Sequence, residues 1–230
     1  MHQLLIQKNA LPQAATDVLL VSDIANQKQV KQFAQQRFKA AYGADIKDFL
    51  PNMIALVDSN NRLQASAGFQ SAAATSLYLE HYLDKPIEAT IADRLNVSIP
   101  RRNEILEVGN LASLSAGATR RLILNLACYF QSQGFKWLVI TATPQVKHSF
   151  EKLNVGLNLH SICPASLDAV STSETNWGNY YDHDPEVYVG DIDSGICALR
   201  NNPLFRKLLS RIHVPVVDTN IKVSVEEACA

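Results

Sequence analysis

One stretch constrains the fold of this chain more than any other, because a strand, a turn of small residues, a helix and a second strand follow one another between residues 105 and 143. The first strand reads ILEVGNLAS, the helix ATRRLILNLACYFQSQ and the second strand WLVITAT. The second strand is almost wholly apolar, which is typical of a strand that is covered on both faces. Because an amphipathic helix connects the two strands, the pattern predicts a parallel crossover at the centre of one sheet.

The segments before this crossover predict an antiparallel first half. Short β-rich runs lie on both sides of an amphipathic helix that ends before Gly43; they are LLIQ, DVLLVSD, NMIALVDS and RLQASAGFQSA. Asn60 and Asn61 separate the last two runs, so these runs are expected to form a hairpin. The next segment predicts two short helices, with Asp84 as the cap of the second. The predicted fold class is therefore mixed α/β, a central mixed sheet flanked by helices.

Composition and charge exclude several classes of function. The chain has 230 residues, of which 47% are hydrophobic and 19% charged, as in ordinary soluble globular proteins. A formal net charge of −1 provides no basic field for nucleic acid and no polybasic membrane signal. The four cysteines show no CxxC spacing, which favours reduced thiols and a cytoplasmic location. No secretory signal pattern and no membrane-spanning run occurs, so we expect no integral membrane association.

The turn between the first strand and the helix, LSAGAT, consists mostly of small and hydroxyl residues and precedes Arg120 and Arg121. The first N–H groups of a helix have no partner within the helix, and the helix dipole favours an anion there. Small residues let a pyrophosphate approach those N–H groups closely, and arginines pair well with its oxygens. A tight turn followed by two solvated arginines explains the same residues, so both interpretations stay open at this point.

Four segments taken together resemble a known family. LYLEHYLDKPIE, ILEVGNLAS, WLVITAT and WGNYYDHDPEVYVGD occur in this order and resemble the bacterial thermostable hemolysin family, over roughly residues 25–192. That family is similar to a branch of the GNAT acyltransferase superfamily, near the acyl-homoserine-lactone and N-acyl amino acid synthases. The resemblance implies a GNAT-like domain over residues 1–192. It leaves a C-terminal tail over residues 193–230, with a helix and a short strand, which is expected to dock or to contact a partner.

The resemblance also implies an activity, that of an N-acyltransferase. Such an enzyme moves an acyl group, expected to be fatty, from an acyl-CoA or acyl-carrier-protein thioester to the amine of an amino acid or similar small metabolite. The expected partners are this amine, an acyl carrier protein as the alternative donor, and a second copy of the chain in a homodimer. Two alternatives stay open: a membrane-lytic protein, and a catalytically silent module that binds acyl thioesters or lipids.

Two positions depart from the usual GNAT pattern. The phosphate loop LSAGAT has one glycine, where the superfamily usually has two, or Gly and Ala after a leading Gln or Arg. In SFEKLNV, Phe150 occupies the position of the tyrosine that protonates the leaving thiol in the common GNAT pattern. Because phenylalanine has no proton to give, any such acid has to come from elsewhere in the chain.

Glu107, Asn110 and Tyr181 are the catalytic candidates. By the resemblance, a backbone N–H in the region from Asn110 to Ala112 polarises the thioester carbonyl, and Gly109 marks either a bulge or a packing glycine. Glu107 lies on the same strand and is the candidate base, with a structural ion pair as the alternative. Tyr181 is a candidate source of the proton that Phe150 lacks, with a core or lid position as the alternative.

The binding candidates come from the same resemblance. For the acyl donor they are Leu111, Ser113, Ser115, Ala116, Gly117, Ala118, Thr119, Arg120 and Arg121. For the acceptor they are Arg37, Glu80, Glu88, Trp177 and Tyr180. Surface helix charges explain Glu80 and Glu88 equally well, and an arginine on a buried face such as Arg37 usually has a carboxylate partner. The histidines show no metal-binding spacing, so we expect no catalytic metal.

Overall fold

The residues that the structure describes include eight strands, which form one continuous sheet. The computed structural model describes residues 16–21, 24–152, 158–170, 174–201 and 216–217. The strands are β1 (Thr16–Val21), β2 (Asn52–Asp58), β3 (Leu63–Ser71), β4 (Ile105–Ser113), β5 (Trp137–Ala142), β6 (His160–Pro164), β7 (Glu186–Asp191) and β8 (Val216–Val217). Their order across the sheet is β6-β7-β5-β4-β3-β2-β1-β8.

The sheet is mixed, as predicted. β1 to β4 pair with one another in antiparallel succession, and β7 lies antiparallel between β5 and β6. The central pair, β4 and β5, is parallel, and so is the pair of β1 and β8. The crossover helix between β4 and β5 accounts for their direction, since parallel neighbours need a long connection. The predicted fold class, a central mixed sheet flanked by helices with a parallel pair at its centre, is confirmed.

Helices cover both faces of the sheet. They are α1 (Ile24–Tyr42), α2 (Ile87–Leu95), α3 (Ala116–Ser132), α4 (Pro144–Glu151) and α5 (Ile192–Asn201). α3, α4 and α5 pack on one face, while α1, α2 and the 3-10 helix Tyr78–Tyr82 pack on the other. Because successive side chains of β5 point to opposite faces and both are covered, the strand is apolar nearly throughout. None of the helices in the described part of the chain has the length and apolarity needed to cross a membrane.

One predicted helix cap is wrong. α2 begins at Ile87 with Pro86 as its N-cap residue, so Asp84 lies outside the helix and does not cap it. The backbone N–H of Ile87 instead donates to the carboxylate of Glu80, at 3.0 Å. A carboxylate seven residues away therefore takes the role that the local sequence assigned to Asp84.

The C-terminal segment contributes to the core of the molecule. α5 begins where the predicted tail begins, and its Ile196 and Leu199 are buried in the core that α3 also lines. The predicted tail helix PLFRKLLSRI and the predicted first strand LLIQ lie outside the described residues. The division of the chain at residue 192 stays a prediction.

An ion cluster holds the starts of β4 and β5 together. Glu104, directly before β4, accepts charged hydrogen bonds from Arg101 at 2.9 Å and from Lys136, directly before β5, at 2.8 Å. The backbone N–H of Lys136 also donates to the carbonyl of Glu104, at 2.9 Å. The bonds from Arg101 and Lys136 lower the pKa of Glu104 to about 2. Ion pairs therefore hold the starts of β4 and β5 together, in addition to the backbone hydrogen bonds of the sheet.

Glu104→Gln is expected to destabilise the protein at neutral pH but not in strong acid. An ordinary glutamate has a pKa near ~4.3, so the lowered value makes Glu104 stabilising above that pH, and the effect is lost as the pH falls toward about 2. Thermal unfolding of both proteins at about pH 7, 4 and 2 measures this. Glu151→Gln, which removes an exposed pair with Lys147, is the control and should show no such trend. If Glu104→Gln unfolds at a temperature as far below that of the wild-type protein at about pH 2 as at about pH 7, the pKa of Glu104 does not account for its effect on stability.

Candidate active site

The two central strands separate after four paired residues. The pairing of β4 with β5 runs from Ile105 opposite Trp137 to Val108 opposite Ile140. β4 then continues beside β3 as far as Ser113, whereas β5 continues beside β7 as far as Ala142 before it leads into α4. A wedge-shaped opening therefore lies between the two strands, toward their carboxyl ends.

A bulge in β4 lies at this opening. Gly109 pairs with Gly68 and Ala112 pairs with Ser66, so β4 has one residue more than β3 in this interval. Asn110, directly after Gly109, has a φ of +48°, in the left-handed region that asparagine tolerates better than most residues. The interpretation of Gly109 as the marker of a bulge is therefore confirmed.

The side chain of Asn110 ties the bulge to the segment before β2. Its Oδ1 accepts a hydrogen bond from the N–H of Leu50 at 3.0 Å, and its Nδ2 donates to the carbonyl of Asp48 at 3.1 Å. A Cβ at Gly68 would lie 2.8 Å from Asn110 Oδ1, which explains the glycine at that position. The side chain of Asn110 is thus committed to positioning the bulge, and only its backbone is available to a ligand.

Asn110→Ala is expected to cost about 2–4 kcal/mol of unfolding free energy. The loss of the two bonds, with the Leu50 N–H left buried, contributes about 1–3 kcal/mol, and alanine in the left-handed region about 1 kcal/mol more. Asn110→Gly loses the same bonds without the backbone strain. Its unfolding free energy, measured by denaturant unfolding, should therefore be about 1 kcal/mol higher than that of Asn110→Ala. Equal stability of the two variants would show that the backbone conformation is not strained.

The wedge between the strands contains a cleft of about 120 Å³. The described residues that line it come from both central strands, from α1 and α4, from the 3-10 helix Tyr78–Tyr82 and from connecting segments. They are Phe38, Tyr42, Asp48, Phe49, Leu50, Tyr78, Tyr82, Glu107, Val108, Gly109, Asn110, Leu111, Ile140, Thr141, Ala142, Thr143, Val146, Trp177 and Tyr180. Five of the candidates from sequence are among them: Glu107, Asn110, Leu111, Trp177 and Tyr180.

Glu107 is the buried carboxylate of this cleft, with 4% of its surface exposed. Its Oε2 accepts hydrogen bonds from Gln70 Nε2 at 2.7 Å and from the N–H of Tyr78 at 2.8 Å. Its Oε1 accepts one from the N–H of Leu79, at 2.9 Å. Burial raises the pKa of Glu107, although these three bonds act in the opposite direction. Of about four lone-pair positions on a carboxylate, these bonds use three, and the one that remains belongs to Oε1.

Aromatic rings form one wall of the cleft. Trp177 and Tyr180 are 5.4 Å apart between ring centroids, and Tyr42 meets Tyr180 edge-on at 5.1 Å. The backbone holds this wall in place, because the N–H of Asn179 donates to the carbonyl of Tyr42 at 2.9 Å. α1 and the WGNYY segment therefore form the wall together.

Tyr181 does not line the cleft. Its hydroxyl is 2.7 Å from the hydroxyl of Tyr82, which does line it, so Tyr181 lies behind Tyr82. Burial raises the pKa of both phenols, and both therefore keep their protons at neutral pH. Of the two hydrogen-bonded tyrosines, Tyr82 is therefore the one that lines the cleft.

Three residues of the lining carry buried polar atoms that have no hydrogen-bond partner among the described residues. The atoms are Oγ1 of Thr141, Oγ1 of Thr143 and Nε1 of Trp177. Thr143 occupies the N-cap position of α4, yet its hydroxyl does not cap that helix. Buried polar groups are almost always paired in folded proteins, so a cluster of unpaired ones around a cleft is typical of a ligand site.

The predicted phosphate loop lies at the start of α3. Ser115 caps this helix: its side chain accepts from the N–H of Ala118 at 3.2 Å, and its carbonyl accepts from the N–H of Thr119 at 3.0 Å. Ala116 and Gly117 are exposed, and as the first helical residues their N–H groups have no acceptor within the helix. The protein itself therefore occupies part of the predicted anion site and leaves two N–H groups open to solvent.

The remaining donor candidates surround the same helix start. The hydroxyls of Ser113 and Thr119 are 2.6 Å apart, which fixes the end of β4 against α3. Arg120 and Arg121 are partly exposed on the second turn of α3. Arg37 donates from Nε to the carbonyl of Ser113 at 3.0 Å, so this acceptor candidate supports the loop and does not line the cleft.

Glu80 and Glu88 also lie outside the cleft. Both pair with Arg102, at 2.9 Å and 2.6 Å, and line a separate open groove. Burial alone would raise the pKa of Glu80, but hydrogen bonds from Arg102 and from two backbone N–H groups outweigh it and lower the pKa. These two acceptor candidates therefore brace the segment that supplies Tyr78 and Leu79 to Glu107.

Phe150 is a core residue behind the sheet. It is 4% exposed and lines a wholly apolar cavity of about 20 Å³ together with Ile123, Leu126 and Leu138. Leu111 lines both this cavity and the cleft. The position that carries a tyrosine in the common GNAT pattern thus faces apolar side chains in this chain.

Phe150→Tyr is expected to destabilise the protein and to bring no gain in activity. A hydroxyl added among apolar side chains has no partner there, which costs about 1–3 kcal/mol of unfolding free energy. Chemical denaturation measures the cost, and Phe150→Leu serves as an apolar control with unchanged kcat. A faster and equally stable Phe150→Tyr protein would show that this position reaches the leaving group.

The chain is similar to one protein family and to several solved structures. The model of the thermostable hemolysin family matches residues 21–196. The solved structure of FeeM, an N-acyl amino acid synthase from uncultured soil microbes, is 13% identical, with a TM-score of 0.56, over 85% of this chain and 98% of that one. The acyl-homoserine-lactone synthase LasI is 12% identical, with a TM-score of 0.55, over 82% and 96% of the two chains.

A third similar structure is BjaI, a CoA-dependent acyl-homoserine lactone synthase with SAM and isopentyl-CoA. It is 10% identical, with a TM-score of 0.51, over 87% of this chain and 93% of that one. The curated proteins gave no match. At these identities the structural likeness shows a shared fold.

Proposed function

The chain belongs to the thermostable hemolysin family, and from this premise together with the divided sheet we propose that it is an N-acyltransferase. In this proposal an acyl group passes from a CoA or acyl-carrier-protein thioester to the amine of a small molecule. The observation that carries the proposal is the cleft between β4 and β5, which contains a buried carboxylate, a β-bulge and unpaired hydroxyl groups.

The thioester is proposed to lie along the separated ends of the two strands. Its carbonyl would accept a hydrogen bond from the backbone in the bulge between Asn110 and Ala112, an interaction worth about 2.7–4 kcal/mol in comparable sites. The phosphates of the donor would reach the open N–H groups of Ala116 and Gly117, with Arg120 beside them. The acyl chain would extend past Leu111 toward the apolar cavity.

Glu107 is the proposed base. The acceptor enters as an ammonium, and the remaining lone pair of Oε1 takes one proton from it and passes that proton to solvent. The neutral nitrogen then attacks the thioester carbon, and a C–N bond forms while the carbonyl becomes an oxyanion. When the oxyanion collapses, the C–S bond breaks, and the second proton moves from nitrogen to the departing thiolate. Amide, thiol and one released proton balance the reaction.

This route does not require a tyrosine at position 150. The nitrogen of the tetrahedral intermediate carries an acidic proton, whereas burial raises the pKa of Tyr82 and Tyr181 and makes them poor acids toward a thiolate. Tyr82, oriented by Tyr181, is proposed to donate a hydrogen bond to the acceptor or the intermediate without transferring its proton.

The proposal is tested by incubating purified protein with acyl-CoAs of graded length, or the corresponding acyl carrier proteins, and pools of amines. Thiol release that depends on the amine, with a product of the mass of the amide, is the expected result. Acyl-pantetheine, which lacks the nucleotide, should react with a higher KM than acyl-CoA if the start of α3 binds phosphate. If the protein binds the acyl donor but transfers no acyl group, it is a catalytically silent module that binds acyl thioesters. Erythrocyte leakage caused by the protein alone would replace it by a lytic function.

A further inference from the structure

We infer that the acceptor is an amine without a carboxylate, such as an alkylamine, a diamine or an amino alcohol, and not an α-amino acid. The inference rests on the proposed function and specifies the chemical class of its acceptor. It is carried by the charge of the cleft, by its aromatic wall and by the reactivity of the two kinds of amine.

The charged side chains of the cleft are all acidic. Among the described residues that line it, Asp48 and Glu107 carry carboxylates, and none is a lysine, an arginine or a histidine. An amino-acid carboxylate in this cleft would approach two like charges and would find no cationic side chain among the described lining residues. Burying an unpaired charge in this way is strongly unfavourable.

Arg37 and Arg102 do not line the cleft and already have partners among the described residues. Arg37 donates its Nε to the carbonyl of Ser113 and does not line the cleft. Arg102 is held by Glu80 and Glu88 and by the carbonyl of Ala72, at 2.7 Å. Arg102 cannot pair with an acceptor carboxylate without losing these partners, and Arg37 is not among the described residues that line the cleft.

The aromatic wall favours an ammonium. Trp177 lies between Tyr78 and Tyr180, with centroid distances of 6.4 Å and 5.4 Å, and all three rings line the cleft. A cation near the face of such rings is attracted by their quadrupole, and an anion is repelled. The unpaired Nε1–H of Trp177 can donate a hydrogen bond to the hydroxyl of an amino alcohol.

The buried base points to the same class of acceptor. An alkylamine has a pKa near ~10.4 and is almost fully protonated at neutral pH, whereas an α-amino group near ~8 is only partly so. A carboxylate buried beside the reaction centre is needed far more for the first kind of amine than for the second. Glu107, with one lone pair of Oε1 available, provides this function.

The test compares acceptors that differ only by the carboxylate: tyramine with tyrosine, putrescine with ornithine, and ethanolamine with serine. Each pair is offered with decanoyl-CoA and with decanoyl carrier protein, and thiol release and product mass are followed. We expect kcat/KM for the preferred amine to exceed that of its amino acid by about a hundredfold or more. An amino acid acylated as well as its amine would overturn the inference and leave the proposed function intact. No transfer to any acceptor from either donor would overturn both.

A pair of charge-neutralising variants tests the physical cause. Asp48→Asn removes one negative charge from the cleft, whereas Asp45→Asn removes one from an exposed residue that does not line it. Asp48→Asn should lower the ratio of kcat/KM for the amine to kcat/KM for its amino acid by about fivefold or more, because a negative charge that repels the carboxylate is lost. Asp45→Asn should leave this ratio unchanged. An identical preference in all three proteins would overturn the electrostatic explanation, because loss of structure alone lowers both rates without changing their ratio.

Discussion

A protein with Glu107→Gln is expected to lose about 10²–10⁴-fold in kcat/KM for acyl transfer, the range that a positioned general base contributes. The wild-type rate should also fall in acid as Glu107 becomes protonated, at a pH above the ordinary glutamate value because burial raises its pKa. The variant has no carboxylate to protonate at this position and should lack that decline. A pH series of kcat/KM for both proteins measures both effects.

The substitution also disturbs the local structure, and this effect has to be separated from catalysis. Every described partner of Glu107 is a donor, so an amide NH₂ at this position meets another NH group. Gln70→Glu combined with Glu107→Gln restores one donor–acceptor pair across β3 and β4 and should recover stability more than rate. Glu104→Gln, at the closed end of the same strand, is the control for a lost carboxylate outside the cleft. If Glu107→Gln keeps the wild-type rate and pH profile, Glu107 is a structural residue only.

The parts of the fold that local sequence dictates were predictable. The run from ILEVGNLAS to WLVITAT contains its own strand, turn and crossover, and the structure has them where the pattern indicates. The alternation of β4 places Leu106 and Val108 in the core under α3, and so places Glu107 on the opposite face. Gly109 marked the bulge because a glycine inside a strand is unfavourable without such a reason.

The acceptor side of the cleft was less predictable because it depends on long-range contacts. Glu107 binds the backbone of the 3-10 helix that carries Tyr78 and Tyr82, and Arg102 and Glu80 brace that helix from behind. Neither contact leaves a local pattern in the sequence. Thr141 had a usable signal, since it lies two residues after Val139, the partner of Glu107, and therefore shares its face.

The second large effect is expected at Gly178, where the aromatic wall joins α1. A Cβ on this glycine would lie 2.1 Å from the carbonyl oxygen of Tyr42 and 2.8 Å from the carbonyl carbon of Gly43. Both contacts are with backbone atoms, so no side-chain rotation relieves them. The φ of +55° adds a further cost of about 1–2 kcal/mol for a residue other than glycine. Gly178→Ala should therefore lose at least about 3 kcal/mol of unfolding free energy, as severe steric strain does.

Gly43→Ala is a matched control, because Gly43 has a similar φ of +65° but no atom within 4 Å of an added Cβ. It should lose only about 1–2 kcal/mol, so the difference between the two variants isolates the steric contact. The close approach of Gly178 to the backbone of Tyr42 also holds Trp177 and Tyr180 in the cleft. Displacement of these two rings in Gly178→Ala should raise KM for the amine more than KM for the acyl donor. Acrylamide quenching in a Trp137→Phe background reports directly on Trp177, which should become more accessible. Equal stability of the two glycine variants, with Trp177 still protected, would show that α1 does not hold the aromatic wall in position.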